Sequence, residues 1–215
     1  LFGNINNNLC SINNLNVDNN YFCNFISECI QESSLGDQNC IDYNINLHEG
    51  NNLVSFGYIP TNINIEEGLY DFENTAEQII GEGIAAVYLP PWVGNLSEIK
   101  PVSGYWIQLD DSVKNISIPD FNNDTLKYSY HIGNNLSSFP CENSQPISEI
   151  IPDHLESNFI SIIGEGVASS QISPGIWVGS LSNIQPYKGY WVNVSDSMDF
   201  EYNCIDDNLI FKNDN

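Results

Sequence analysis

The chain has 215 residues, with 28 acidic side chains against five basic ones and a formal net charge of −23 at pH 7. Nucleic acids and anionic membranes are bound through clustered cations, so five lysines and no arginine argue against both as partners. Hydrophobic residues make up 41% of the chain, which is enough for the cores of one or two domains, but no apolar run is long enough for direct membrane insertion.

The six cysteines favour disulfides, because their number is even and four fall in the first forty residues: Cys10, Cys23, Cys29, Cys40, Cys141 and Cys204. Zinc is the weaker alternative, since no Cys-x-x-Cys pair occurs and His48, His131 and His154 are far from the cysteine cluster. Disulfides imply an oxidising compartment. No basic, apolar leader begins the chain, so we expect either a removed leader or a longer polypeptide.

Residues 1–43 carry a pattern of their own. INNLNVDNNYF, from Ile12, is similar to the leucine-rich repeat line L-x-x-L-x-L-x-x-N-x-L, whose apolar positions point into a solenoid. LFGNI, from Leu1, resembles the L-x-G-x-I of the plant-type repeat, and CNFISECIQESSLGDQNC, from Cys23, resembles the cap that closes extracellular repeat domains. The resemblance implies a repeat remnant with a disulfide-bonded cap and a chain that extends before Leu1. It leaves the pairing among the four N-terminal cysteines open.

The rest of the chain repeats itself. HEGNNLVSF from His48 returns as HIGNNLSSF from His131, and IIGEGIA from Ile79 returns as IIGEGVA from Ile162. WVGNLSEIKPVSGYWIQLDDS from Trp92 returns from Trp177 with 12 of 21 residues identical. We therefore expect two copies of one unit, a first β module at 44–120 and a second at 121–215 that includes a C-terminal tail.

Short alternating runs around Leu53 and around Tyr105 to Ile107 predict strands, and the glycines that bracket such runs predict tight turns. Helix is expected only near Ile65 to Gln78 and Ile147 to Phe159, with Pro152 restricting the second segment to short pieces. The predicted fold is mainly β: the end of a leucine-rich repeat solenoid with its cap, then two tandem small β-rich domains of the same fold with short helical segments.

Two cysteines belong to the second copy alone. Cys141 and Cys204 correspond to Tyr58 and Pro119 of the first copy, so the second copy gained both and the first gained neither. That pattern predicts a bond between them.

Several chemically capable residues recur at matched positions, and each set has a structural and a functional interpretation. The pairs are Trp92 with Trp177, Trp106 with Trp191, Glu82 with Glu165, and His48 with His131. Exposed tryptophans would stack on sugar rings, but we favour a core position for them because so small a unit needs large apolar side chains. Two carboxylates suggest glycosidase chemistry, but equivalent positions in two copies favour turn-forming roles, and the histidines are interpreted as structural in the same way.

The sequence contains no Gly-x-Ser-x-Gly elbow, no His-Glu-x-x-His, no phosphate loop and no dinucleotide fingerprint. The acids are dispersed and lack calcium-loop spacing. We therefore expect no enzyme activity, no cofactor and no metal. Five N-x-S/T sequons are candidate glycosylation sites, although this much asparagine and serine produces such matches by chance: Asn95, Asn115, Asn123, Asn135 and Asn193.

The doubled unit resembles modules that follow such caps in tandem in large secreted or surface proteins, with the runs G-x-N-L-x-S-F, IIGEGVA, WVGSL and GYWV. Pro140 fits the S-F-P of that module, and Gly57 departs from it. The resemblance implies a non-catalytic extracellular, surface or adhesion-type protein whose modules support recognition of a protein partner. One alternative is a self-assembling structural subunit of a surface layer, filament or virion exterior. A second alternative is a carbohydrate-binding appendage.

Overall fold

A computed structural model describes residues 40–59, 61–72, 75–119 and 125–205. Strands dominate these residues and the helices are short, which confirms the mainly β fold class. The repeat remnant and cap lie outside the described residues apart from the backbone of 40–43, and Cys10, Cys23 and Cys29 lie outside them too.

In its described residues the first copy contributes nine strands. They are β1 Cys40–Leu47, β2 Gly50–Ser55, β3 Ile63–Asn64, β4 Ala76–Gly81, β5 Ile84–Tyr88, β6 Trp92–Gly94, β7 Glu98–Ile99, β8 Gly104–Leu109 and β9 Val113–Pro119. Five of them form a sheet in the order β2-β8-β4-β5-β6, while β1 pairs with β9 and β3 pairs with β7. β1 begins at Cys40, ahead of the boundary expected at residue 44.

The part of the second copy that the structure describes contributes nine more strands. They are β10 Lys127–Tyr130, β11 Gly133–Ser137, β12 Gln145–Pro146, β13 Phe159–Gly164, β14 Val167–Ser173, β15 Ile176–Gly179, β16 Asn183–Ile184, β17 Tyr190–Val194 and β18 Met198–Glu201. Their sheet has the order β11-β17-β13-β14-β15, with β10 paired to β18 and β12 paired to β16. The strand order of the first sheet is therefore repeated in the second.

The shared IIGEG run is a tight hairpin in both sheets. Gly81 pairs with Ile84 and Gly164 pairs with Val167, so each loop holds only a glutamate and a glycine. Gly83 and Gly166 both have φ of 70°, a left-handed conformation that glycine adopts without a Cβ penalty. The run thus sets the register of β4 with β5 and of β13 with β14.

The helices are shorter than the sequence predicted. One turn covers Ile65–Gly68 and a 3-10 turn covers Tyr70–Phe72, but Ala76 already begins β4, so the helical prediction to Gln78 was wrong at its end. In the second copy the helix is Ile147–Ile150 and a 3-10 turn follows at Glu156–Asn158. Ile151 is extended, as expected for the residue before Pro152. No helix in the described segments is long and apolar enough to cross a membrane.

Side chains alternate between the two sides of each strand, and only one side of each sheet is buried. In β17, Tyr190, Val192 and Val194 are buried, whereas Trp191 and Asn193 point to the opposite face. The buried side packs on an aromatic cluster of the second copy, in which Phe200 contacts Tyr130 and Phe159 edge to face. The two sides of the sheet thus differ in character, with an apolar core on one and a partly exposed surface on the other.

The chain divides into two compact units whose limits differ from those of the two copies. The second unit holds most of the second copy and also Leu53–Gly57 and Pro101–Tyr105 from the first. Within this unit the Ser55 amide donates to the Tyr187 carbonyl over 2.9 Å. A Cβ on Gly189 would lie 2.6 Å from the Val54 carbonyl oxygen, so only glycine permits this approach of two backbones.

Candidate binding surfaces

The matched histidines lie in a turn that an asparagine closes. The amide of His48 donates to Asn52 Oδ1 over 2.9 Å, and Asn52 Nδ2 donates back to the His48 carbonyl over 2.8 Å. His131 and Asn135 form the same two bonds, each at 2.9 Å. Both asparagines are buried, so their amide groups satisfy backbone groups that would otherwise lack water. The asparagine is the shared residue that the sequence analysis missed, although it stands in both copies of the G-N-N-L run.

The matched glutamates occupy the two hairpin tips but have different surroundings. Glu82 is exposed, whereas Glu165 is half-buried and its Oε2 accepts the Leu53 amide over 2.9 Å. A carboxylate that accepts a backbone N–H forms a charge-assisted bond, so within the second unit Glu165 holds residues 53–55, the end of β2. A turn-forming role was expected for both glutamates, whereas Glu165 also accepts the amide of Leu53, 112 residues away, which is a longer-range role.

All four tryptophans are partly exposed, and none is fully buried. Trp106 pairs with Ile80 and Trp191 with Ile163, and each pair lies on the face of its sheet opposite the core. The reason is register, because the tyrosine before each tryptophan takes the inward position of the strand.

Trp92 and Trp177 differ in their neighbours. The ring of Trp92 lies 5.1 Å from that of Tyr88 at an interplanar angle of 50°. Trp177 packs against the core cluster of the second copy and pairs with Gln171, which stands where the first copy has Tyr88. An aromatic pair is thus present in one copy and replaced in the other.

Beside Tyr88 lies an open groove of about 690 Å³ in the first unit. Tyr88 and Pro90 line it together with three polar side chains, Glu77, Gln108 and Asp110. Gln108 Nε2 donates to Glu77 Oε2 over 2.7 Å, which fixes both side chains. An aromatic ring beside acids and an amide suits a ligand that is apolar on one face and rich in hydroxyls at its rim. A comparison of the two copies does not reveal these side chains, because the second copy does not keep them. Glu77, Gln108 and Asp110 are replaced there by Ile160, Asn193 and Ser195.

A second cleft, of about 370 Å³, lies in the second unit and is lined by Glu165, Leu181, Lys188 and Tyr190 among others. The Tyr190 hydroxyl accepts the Gln185 amide over 2.8 Å, and burial raises the pKa of Tyr190 to about 12. A neutral phenol held by a backbone N–H and a glutamate held by Leu53 give this cleft a structural character.

Three buried tyrosines form a hydroxyl network under the second sheet. The Tyr130 hydroxyl donates to Ser137 Oγ over 2.5 Å and lies 2.8 Å from the Tyr202 hydroxyl, while Tyr128 pairs with Ser138 over 2.8 Å. Burial raises the pKa of Tyr202 to about 12 and raises the pKa values of Tyr128 and Tyr130 well above the usual range. Their hydroxyls therefore stay protonated at neutral pH and hold the core together.

The disulfide inferred from the repeat comparison is confirmed. Cys141 and Cys204 are bonded, with their Cα atoms 5.3 Å apart. Cys40 belongs to β1, and its side chain is outside the described part, as is everything about Cys10, Cys23 and Cys29.

Three of the sequons have described side chains. Asn95 is exposed, but its Oδ1 accepts the Ala85 amide over 2.8 Å, and Asn193 Nδ2 donates to Asn134 over 2.6 Å. Asn135 is 5% exposed, and its Nδ2 is held by backbone carbonyls. Asn123 and the side chain of Asn115 lie outside the described part.

Among the residues described, no three or more His, Cys, Asp or Glu side chains form a group that could hold a metal ion. No family model, curated protein or solved structure matches the chain.

Proposed function

We propose that the chain is a non-catalytic extracellular surface protein whose β modules are a rigid structural support for recognition of a protein partner. The observation that carries this proposal is the use made of the matched residues. Asn52 and Asn135 close the same turn, and Gly83 and Gly166 form the same hairpin. Residues engaged with backbone in this way stabilise a scaffold, and chemistry at a site would require them to be available to a substrate.

The disulfide supports the location. A bond between Cys141 and Cys204 persists in oxidising compartments and is reduced in a typical cytosol. The large excess of acidic residues supports it as well, because net charge keeps an exposed protein soluble.

Protease treatment of intact cells or particles from the native source tests the proposal. Peptides of this chain should be released without lysis, with Cys141 and Cys204 still linked when mass spectrometry is done without reduction. An abundant intracellular protein of the same source serves as the control for leakage. Peptides obtained only after lysis, with both cysteines open to a thiol reagent before reduction, would contradict it.

A second candidate function, carbohydrate binding, is favoured by the groove beside Tyr88. The aromatic ring would stack on a pyranose face while Glu77 and Asp110 accept bonds from its hydroxyls. A column of immobilised neutral polysaccharide should then retain the wild-type chain. The variants Tyr88→Ala and Asp110→Asn should no longer be retained. Gln171→Ala, at the position that matches Tyr88 in the second copy, should still be retained. Equal behaviour of all four proteins would remove this candidate.

A further inference from the structure

The second sheet has an unusual surface for so acidic a chain. None of its five strands, β11, β13, β14, β15 and β17, contains a charged residue, although the chain carries a net charge of −23. Its side opposite the core is here called the outer face. Register places these side chains on it: Trp191, Ile163, Ala168, Ser170 and Val178.

Aliphatic side chains on this face are exposed. Ile163 is 47% exposed and Val178 is 57% exposed, and Ile176, two residues before Val178 on β15, is 54% exposed. The matching residues of the first sheet, Ile80 and Val93, are also exposed, at 38% and 55%. Both sheets therefore expose aliphatic side chains at matched positions, where burial of apolar surface would be favourable. A grouped apolar surface of this sort marks an interaction site.

The edge of the sheet at β15 has the same character. Among the described residues, β15 pairs with β14 on one side only, and it is the last strand in the sheet order. Edge strands are normally protected by lysine, proline or inward-pointing charge, and the sequence IWVG of β15 has none of these.

We propose that a second copy of this chain docks on the outer face of the second sheet, sheet against sheet. Charge selects this occupant. A basic partner would gain nothing from a face without carboxylates, and elsewhere the acidic charge repels a second copy, so two copies approach closely only where charge is absent. Packed sheets lie about 10 Å apart, close enough for Ile163 and Val178 to interdigitate with their counterparts.

The size of the face predicts a weak contact. The part of the outer face formed by β13, β14, β15 and β17 measures about 330 Å², since these four strands lie about 4.8 Å apart and present about five residues each, at about 3.4 Å per residue. β11 is left out because Leu136, which pairs with Trp191 on this side, is only 5% exposed. Two such faces bury about 650 Å², which is below the range of stable complexes. Docking is therefore expected to be weak, so its test needs a high protein concentration. Such docking is independent of the cellular location, so its failure would leave the proposed function standing.

Sedimentation equilibrium of the full chain, with its disulfides intact, tests the proposal. From about 10 to about 500 µM the wild type should pass from monomer to dimer. Raising salt from about 20 to about 500 mM should strengthen the dimer several-fold, because salt screens the repulsion between acidic copies.

Ile163→Lys combined with Val178→Lys should weaken the dimer at least about tenfold, and the milder pair Ile163→Thr with Val178→Thr should weaken it less. Ile132→Lys is the control, since Ile132 is 65% exposed in the turn between β10 and β11 and belongs to none of the five strands of the sheet. The proposal is overturned if the wild type stays monomeric in high salt, if association weakens as salt rises, or if the double lysine variant associates as the wild type does.

Discussion

Removing the bond between Cys141 and Cys204 should lower the stability of the second unit by a calculable amount. The two residues are 63 positions apart, so in the chain-entropy model the bond removes about 14 cal/mol/K from the unfolded chain, or about 4 kcal/mol at 25 °C. Cys141 is only 1% exposed, so its replacement by alanine adds a packing loss of about 1 kcal/mol. The double variant Cys141→Ala/Cys204→Ala should therefore lose about 5 kcal/mol.

Urea unfolding measures this loss. With a slope of about 2 kcal/mol per molar urea, the midpoint should fall by about 2.5 M. Tryptophan fluorescence reports the second unit when Trp92 and Trp106 are replaced by phenylalanine, which leaves Trp177 and Trp191 as the probes. Cys204→Ala alone opens the bond and keeps the buried Cys141 sulfur, so the difference between single and double variants isolates the packing loss.

If the double variant unfolds within about 0.5 kcal/mol of the oxidised wild type, the bond does not restrict the unfolded chain as calculated. The inference that the second copy depends on this link would then be wrong.

The remaining predictions concern the buried tyrosines and the close backbone approaches. Tyr130→Phe removes the hydroxyl between Ser137 and Tyr202 and should lower the free energy of unfolding by about 1–3 kcal/mol in a urea titration, and an unchanged midpoint would mean that the network adds nothing. Burial raises the pKa of Tyr202 to about 12 in the folded chain against about 10 when unfolded, so the stability that Tyr202 contributes should be fully present below pH 10 and should be lost between pH 10 and 12. Urea midpoints across that range check this sign, and a rise with pH would contradict it. Gly179→Ala places a Cβ 2.1 Å from the Ala168 carbonyl oxygen and should lower the thermal midpoint, whereas Gly166→Ala, with open space around it, should lower it less.

Much of the local structure follows from sequence because the determinants are local. The E-G tip between Gly81 and Ile84 permits little besides a tight hairpin, and the second copy repeats it. The bond between Cys141 and Cys204 followed from comparing the copies, because the second copy has two cysteines that the first copy lacks, and the two can pair with each other. These inferences needed no knowledge of tertiary packing.

The features that could not be predicted depend on which face of a strand is covered. Alternation gives two faces to GYW, and only packing decides that Tyr105 turns inward and Trp106 outward. The bond from the Leu53 amide to Glu165 joins residues 112 apart, and no local pattern announces it. The groove residues Glu77 and Tyr88 escaped notice because comparison of copies emphasises what the copies share.

The central claim is that the residues shared by the two copies hold the backbone in place. Asn52 and Asn135 test it most directly, because each closes its turn with two bonds to a histidine backbone. The free energy of unfolding of Asn52→Ala and of Asn135→Ala should each be lower than that of the wild type by about 1–3 kcal/mol. If both variants instead unfold as the wild type does, the shared residues are dispensable to the fold and the structural account fails.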